Sequence, residues 1–177
     1  MESYKVLMNT ITTFVFDLDG VLTDNTVQVT AEGELLRTIS IRDSFAIKHA
    51  VENGYRVCII SEGNNEGIRI IFTDLDVDDI HFNVKDKVRV FNQLVDQYQF
   101  KPGEVLCMGD DMPDYQVMKL CGIAACPQDA APEIKLISNY VSHKNGGHGA
   151  VRDVIEQVLK VQGKWMSKFN STNTTNL

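Results

Sequence analysis

The sequence predicts an α/β fold in which a mostly parallel sheet carries helices on both faces. Three observations lead there. Short apolar runs alternate with helix-like segments along the chain, the pattern of strand–helix–strand units. One of the helix-like segments, 85–99, places Val88, Phe91, Leu94, Val95 and Tyr98 at helical spacing. Only residues 26–43, TVQVTAEGELLRTISIRD, alternate with period two on both sides of a turn signal, Glu32-Gly33, as a β-hairpin does.

In order, the strands are expected at 12–17, 55–61, 79–83, 104–111, 122–127 and 139–143. The helices are expected at 44–54, 64–75, 85–99, 112–121, 130–138 and 149–164. Gly54 is a stop for the first helix and Pro102-Gly103 marks a turn. In the last helix Val151, Ile155, Val158 and Leu159 form one apolar face. The hairpin, at about 26–42, is inserted after the first strand and is too small to be a domain. The chain has 177 residues, which suits one domain with a substantial core. That domain is expected over 1–166, with a polar tail at 167–177. No internal repeat is visible.

Composition narrows the function classes. With 44% hydrophobic and 23% charged residues the chain reads as soluble and globular. A net charge of -7 disfavours a nucleic-acid-binding surface. No apolar run approaches the roughly 20 residues of a membrane span, and residues 1–14 lack the apolar core of a signal peptide. Cys58, Cys107, Cys121 and Cys126 lie in apolar contexts without CxxC spacing, so reduced thiols in a cytoplasmic protein are expected.

In parallel α/β sheets, ligands bind at the carboxyl ends of the strands. The first strand ends in Asp17-Leu18-Asp19, the second in Ser61, and the fourth in Gly109-Asp110-Asp111 with Asp114 beyond. Lys87 opens the helix after the third strand. Each residue alone could be a cap or turn residue. Two acidic clusters, each directly after an apolar strand, are harder to read that way. Clustered carboxylates without Cys or His ligands suit a hard cation, Mg²⁺ first. A cation together with Lys87 would neutralise a bound phosphate, which makes phosphoryl transfer the natural reaction class. Period-two alternation puts Asp17 and Asp19 on one side of the chain. One can then attack phosphorus while the other handles the leaving-group proton.

Asp17-Leu18-Asp19-Gly20 resembles the DxDG signature of haloacid-dehalogenase-type phosphatases, and the family's other motifs follow in order at Ser61, Lys87 and Gly109-Asp110-Asp111 with Asp114. The resemblance implies a Rossmann-like core and an aspartyl-phosphate mechanism. Asp17 is the nucleophile, Asp19 the acid/base, and Ser61 and Lys87 hold phosphate oxygens. Asp17, the backbone carbonyl of Asp19 and Asp110 bind Mg²⁺, with Asp111 and Asp114 in support. Only about 40 residues separate Asp19 from Ser61, so no cap domain is expected.

Up to about Trp165 the chain is also similar to the 3-deoxy-manno-octulosonate 8-phosphate phosphatases, through DLDGVLTD, the hairpin, IRDSFAIKHA, GDDMPDYQVM and GGHGAVRDVIEQVLK. This resemblance implies a homotetramer whose hairpins form a central barrel, a sugar-acid phosphate substrate, and a role in making the inner-core sugar of lipopolysaccharide. Related enzymes act on nine-carbon nonulosonate 9-phosphates. Arg42, Asp43, Gly63, Arg69 and His148 are candidate substrate contacts. Glu62 and Gly63 follow Ser61 where the family more often has Gly and Arg, and His148 stands where Arg is commoner; these departures bear on the substrate. Two other classes remain. A phosphorylatable receiver would carry its phosphorylated Asp after the third strand, which here ends at Asn83. A non-catalytic assembly protein would not need all four motifs.

Overall fold

The computed structural model describes residues 3–77 and 79–167. Apart from Ser167, the polar tail expected at 167–177 lies outside them.

A six-stranded sheet forms the middle layer. Its strands are β1 (Thr13–Phe16), β4 (Arg56–Ile60), β5 (Asp79–His81), β6 (Val105–Met108), β7 (Ile123–Cys126) and β8 (Tyr140–Val141). Spatial order is β5-β4-β1-β6-β7-β8, and every pairing is parallel. The direction of winding therefore reverses between β1 and β6. Each central strand alternates its side chains between two cores. Phe14, Phe16, Val57, Ile59, Leu106 and Met108 face one; Val15, Cys58, Ile60, Val105 and Cys107 face the other. Burial on both faces is why these runs are continuously apolar.

Helices α2 (Ile41–Glu52), α3 (Glu66–Asp74) and α7 (Ala150–Val161) cover the first face. A short helix α1 (Tyr4–Met8), absent from the sequence reading, joins them through Met8. Helices α4 (Lys87–Tyr98), α5 (Tyr115–Met118) and α6 (Pro132–Ile137) cover the second. Their starts are chemically marked. Ser40, Asn65 and Asp86 cap α2, α3 and α4, each side chain accepting a backbone N–H three residues on. Gly54, at φ +82°, stops α2 as expected. Among the described residues the cysteines form no disulfide, and Cys58, Cys107 and Cys126 are buried.

The inserted hairpin is shorter than expected. Strands β2 (Gln28–Val29) and β3 (Leu35–Leu36) pair antiparallel, and α2 already begins at Ile41. Arg42 and Asp43 thus belong to the first turn of a helix, not to the hairpin's end. Among the described residues no cap domain stands between Asp19 and Ser61.

Candidate active site

The carboxyl ends of β1, β4 and β6 open into a cavity of about 330 Å³ lined by Asp17, Asp19, Asn25, Ser61, Glu62, Gly63, Lys87, Asp110, Asp111, Pro113 and Asp114. It lies at the sheet's switch point, where parallel α/β folds place ligands. All four sequence segments singled out for chemistry converge there.

Asp17 follows β1 in extended conformation, and the next residues coil sharply. Leu18 drops into the core, which leaves Asp17 and Asp19 both lining the cavity. Gly20 sits at φ +87°, and a Cβ there would lie 2.0 Å from Asp110 Oδ2. Only glycine lets the loop after β1 close on the acidic end of β6.

Lys87, in the first turn of α4, reaches under the cluster. Its Nζ lies 2.9 Å from Asp17 Oδ1 and 2.6 Å from Asp114 Oδ1. Burial works against its charge, but the two carboxylates outweigh burial and push its pKa up. The Asp17 contact is an ion pair by distance only; Oδ1 is buried and makes no hydrogen bond of acceptable geometry among the described residues. Asp114 has both oxygens engaged, the second accepting from Asp110 N at 3.1 Å. Asp111 is exposed and accepts from Met112 N. Ser61 Oγ accepts from Gly63 N at 3.1 Å.

The cluster is short of positive charge. Burial and the charge of Asp114 push Asp17 up to about 7. Burial, then the charges of Asp17, Asp114 and Asp111, push Asp110 up to about 8. Oxygens of Asp17, Asp110 and Asp114 lie within 4.8 Å of one another. An all-carboxylate set with an unsatisfied buried oxygen fits a hard divalent cation.

Gly63 lines this cavity, and a Cβ on it would lie 2.6 Å from Asp19 Oδ2. Glu62 is exposed at the mouth. The other four candidate substrate contacts lie elsewhere. Asp43 is buried beneath α7, accepting from Gly149 N and Arg152 N. Arg69 donates to Ile80 O and lies over the Phe82 ring. Arg42 and His148 line a separate cleft of about 610 Å³ with Lys144 and Arg152.

Sequence reasoning missed three residues. Arg37 donates through Nε and Nη2 to both oxygens of Asp19, at 2.7 and 3.0 Å. Thr23 Oγ1 donates to Asp19 Oδ1 at 3.3 Å, and Asn25 Nδ2 to Asp110 Oδ2 at 3.4 Å. Thr23 and Asn25 are near neighbours of the DxDG stretch. Arg37 gave only one hint, a cation directly after the Leu35-Leu36 pair.

A doubly wound sheet with buried carboxylates and a lysine at its switch point defines a carboxylate-centred α/β enzyme of the phosphoryl-transfer class. Comparison with known proteins agrees. A family model described as haloacid dehalogenase-like hydrolase matches residues 62–155. The 3-deoxy-D-manno-octulosonate 8-phosphate phosphatase KdsC of Salmonella typhi is 31% identical over 150 residues, 85% of this chain and 80% of that protein. The crystal structure of the phosphatase of that name from Yersinia pestis superposes with a TM-score of 0.90 at 27% identity, covering 92% of this chain and 88% of that one. The cobalt-bound deoxy-D-mannose-octulosonate 8-phosphate phosphatase of Haemophilus influenzae gives 0.86 at 26% identity, covering 90% and 93%. The chain belongs to the haloacid dehalogenase-like hydrolase family and is a phosphoric monoester hydrolase.

Proposed function

We propose that this enzyme hydrolyses the phosphate ester of a sugar acid, with 3-deoxy-D-manno-octulosonate 8-phosphate as its substrate. The observation that carries the chemistry is the set of half-buried Asp17 with buried Asp110, Asp114 and Lys87, and Asp19 beside it lining the same cavity. The substrate assignment rests on the likeness to phosphatases of that name.

Asp17 attacks phosphorus, and the bond to the sugar oxygen breaks. Asp19 gives that oxygen a proton and later takes one from the water that hydrolyses the aspartyl phosphate. Lys87 and Ser61 hold phosphate oxygens. Asp17, Asp110 and the Asp19 carbonyl hold Mg²⁺, which when bound offsets the charge of cluster and phosphate. Asp114 supports the site by fixing Lys87 and the Asp110 backbone. Asp111 caps the turn that follows.

The enzyme works as a homotetramer in the cytoplasm, within the route to the inner-core sugar of lipopolysaccharide. An apolar hairpin standing clear of the core supports the assembly, and buried cysteines outside any disulfide support the compartment. No helix of the described residues is long and apolar enough to cross a membrane.

The test is phosphate release by purified enzyme with Mg²⁺, using the eight-carbon acid phosphate and a nine-carbon nonulosonate 9-phosphate in parallel. Higher kcat/KM on the eight-carbon ester is expected. Preference for the nine-carbon ester would move the substrate but keep the class. A stable phosphoprotein without turnover, or no reaction at all, would end the proposal.

A further inference from the structure

The cavity at the switch point is unevenly charged. Asp17, Asp19, Glu62, Asp110, Asp111 and Asp114 line it as carboxylates, and Lys87 is the one cation among its lining residues. Lys87 is buried and committed to Asp17 and Asp114. Arg37 does not line the cavity, and its Nε and Nη2 are given to Asp19. Among the described residues, no uncommitted cation lines the wall that the alcohol half of a bound ester would meet. A carboxylate on that half, placed here, would face like charge.

Two exposed polar side chains stand in that wall, Asn25 and Glu62. The backbone of Asn25 is at φ +61°, a region that few residues other than glycine adopt and that asparagine tolerates better than most. Such outliers collect at functional sites. The turn around Asn25 is fixed from both sides: Asp24 Oδ1 accepts from Thr26 N at 3.2 Å and from Thr26 Oγ1 at 2.7 Å. Asp110 Oδ2 accepts one N–H of the Asn25 amide at 3.4 Å. The second N–H and Oδ1 have no partner among the described residues. Glu62 adds acceptors alone. A hydroxyl matches this pair, because it gives a hydrogen to a carboxylate or amide oxygen and takes one from the amide N–H.

We propose that Asn25 and Glu62 are specificity-determining residues that recognise a hydroxyl on the carbon next to the phosphate ester. Asn25 touches Asp110, and the cavity holds only about 330 Å³, so their reach ends at the carbons beside the phosphate. The substrate class is the phosphate monoester of a primary alcohol whose neighbouring carbon carries a hydroxyl, a polyol chain that enters phosphate end first. The eight-carbon acid phosphate has that hydroxyl beside its ester, and its carboxylate lies at the far end of the molecule. The inference rests on the function proposed above and assigns the part of that substrate which this chain's own residues recognise.

Three small esters separate the outcomes, each assayed beside the eight-carbon ester with full-length enzyme and Mg²⁺. Propyl phosphate is the plain chain, propane-1,2-diol 1-phosphate adds the neighbouring hydroxyl, and 3-phosphooxypropanoate adds a carboxylate instead. Wild-type kcat/KM on the diol ester should exceed that on propyl phosphate by about tenfold or more. The carboxylate ester should do no better than propyl phosphate. Asn25→Gly keeps a residue suited to positive φ and removes the amide; it should lower the diol-to-propyl ratio by about threefold or more. Glu62→Ala should lower the same ratio, and being exposed it decides the matter where the glycine variant fails to fold. Hydrolysis of the eight-carbon ester together with a wild-type ratio near one, a preference for the carboxylate ester, or a ratio unchanged in the folded variants would overturn this inference and leave the function standing. A wild-type enzyme that hydrolyses no ester would overturn both.

Discussion

Asp17 lies between a cation and two anions, and its environment sets how the protein should respond to substitution and to pH. Replacing it by Asn removes the attacking oxygen but little volume. We expect Asp17→Asn to lower kcat by at least about a thousandfold, with an unfolding midpoint no lower than wild type, because a buried repulsion goes with the charge. The same repulsion gives a pH dependence. Asp17 and Asp110 are raised from an ordinary 3.8 to about 7 and about 8. The folded state binds their protons more tightly than the unfolded chain does. Their contribution to stability is therefore full below about pH 4 and is lost as pH rises through 7 and 8. Mg²⁺ competes for the ionised forms. At a hundredfold excess over its Kd it should add about 2.7 kcal/mol at pH 8, or roughly 5–10 °C in Tm at 2–4 °C per kcal/mol. At pH 5 the increment should largely vanish, and calorimetry showing equal increments at both pH values would contradict this account. These residues were legible in the sequence because each acid directly follows the apolar run that buries it. Arg37 was not, because its partner lies 18 residues away across a hairpin whose geometry no local pattern reports.

At the scale of elements, the start of α2 shows where sequence and structure part. Thr38-Ile39-Ser40-Ile41 continues the hairpin's alternation, so the strand reading runs on to residue 43. Ser40 decides otherwise: its side chain accepts from Asp43 N and caps a helix that starts at Ile41. That turn puts Asp43 beneath α7, whose N-cap, Gly149, has no side chain to cap with. Asp43 supplies the cap from another helix, accepting from Gly149 N at 3.1 Å and Arg152 N at 2.7 Å. Tertiary caps of this kind cannot be read from local motifs. Asp43→Ala would leave two N–H groups at that helix end without their acceptor, at a cost of about 1–3 kcal/mol. Urea denaturation should show a loss of that size, with Asp43→Asn falling between the two. Because the Asp43 carboxylate is committed to α7, kcat/KM of the folded variant should change far less than in any variant of Asp17 or Lys87. A drop in activity with stability intact would return Asp43 to the substrate site.

For the whole molecule, the hairpin is the part a single chain leaves unfinished. In the β2–β3 pair, Val29 lies opposite Leu35, and the two are 66% and 44% exposed. Val27, just before β2, is also 44% exposed. A lone two-stranded hairpin is marginal in water, and here the described contacts tie it back only lightly, as where Asn65 Nδ2 donates to Leu35 O at 3.1 Å. An exposed apolar strip on a chain of net charge -7 is better explained by burial between copies than by solvation. Closed symmetry would bring several strips together, as in the proposed tetramer. Val29→Asp combined with Leu35→Asp would set like charges directly across the pair and on the proposed interface. Neither side chain is in the core, so the chain should still fold. Light scattering should give a four-chain mass for wild type and a one-chain mass for the double variant. If hairpins from other subunits help to wall the cavity, the variant should also show a raised KM for the sugar-acid ester. It should still hydrolyse p-nitrophenyl phosphate, which needs only the residues of one chain. A wild-type protein that already runs as a single chain, or a double variant that keeps the four-chain mass, would remove the hairpin from the assembly.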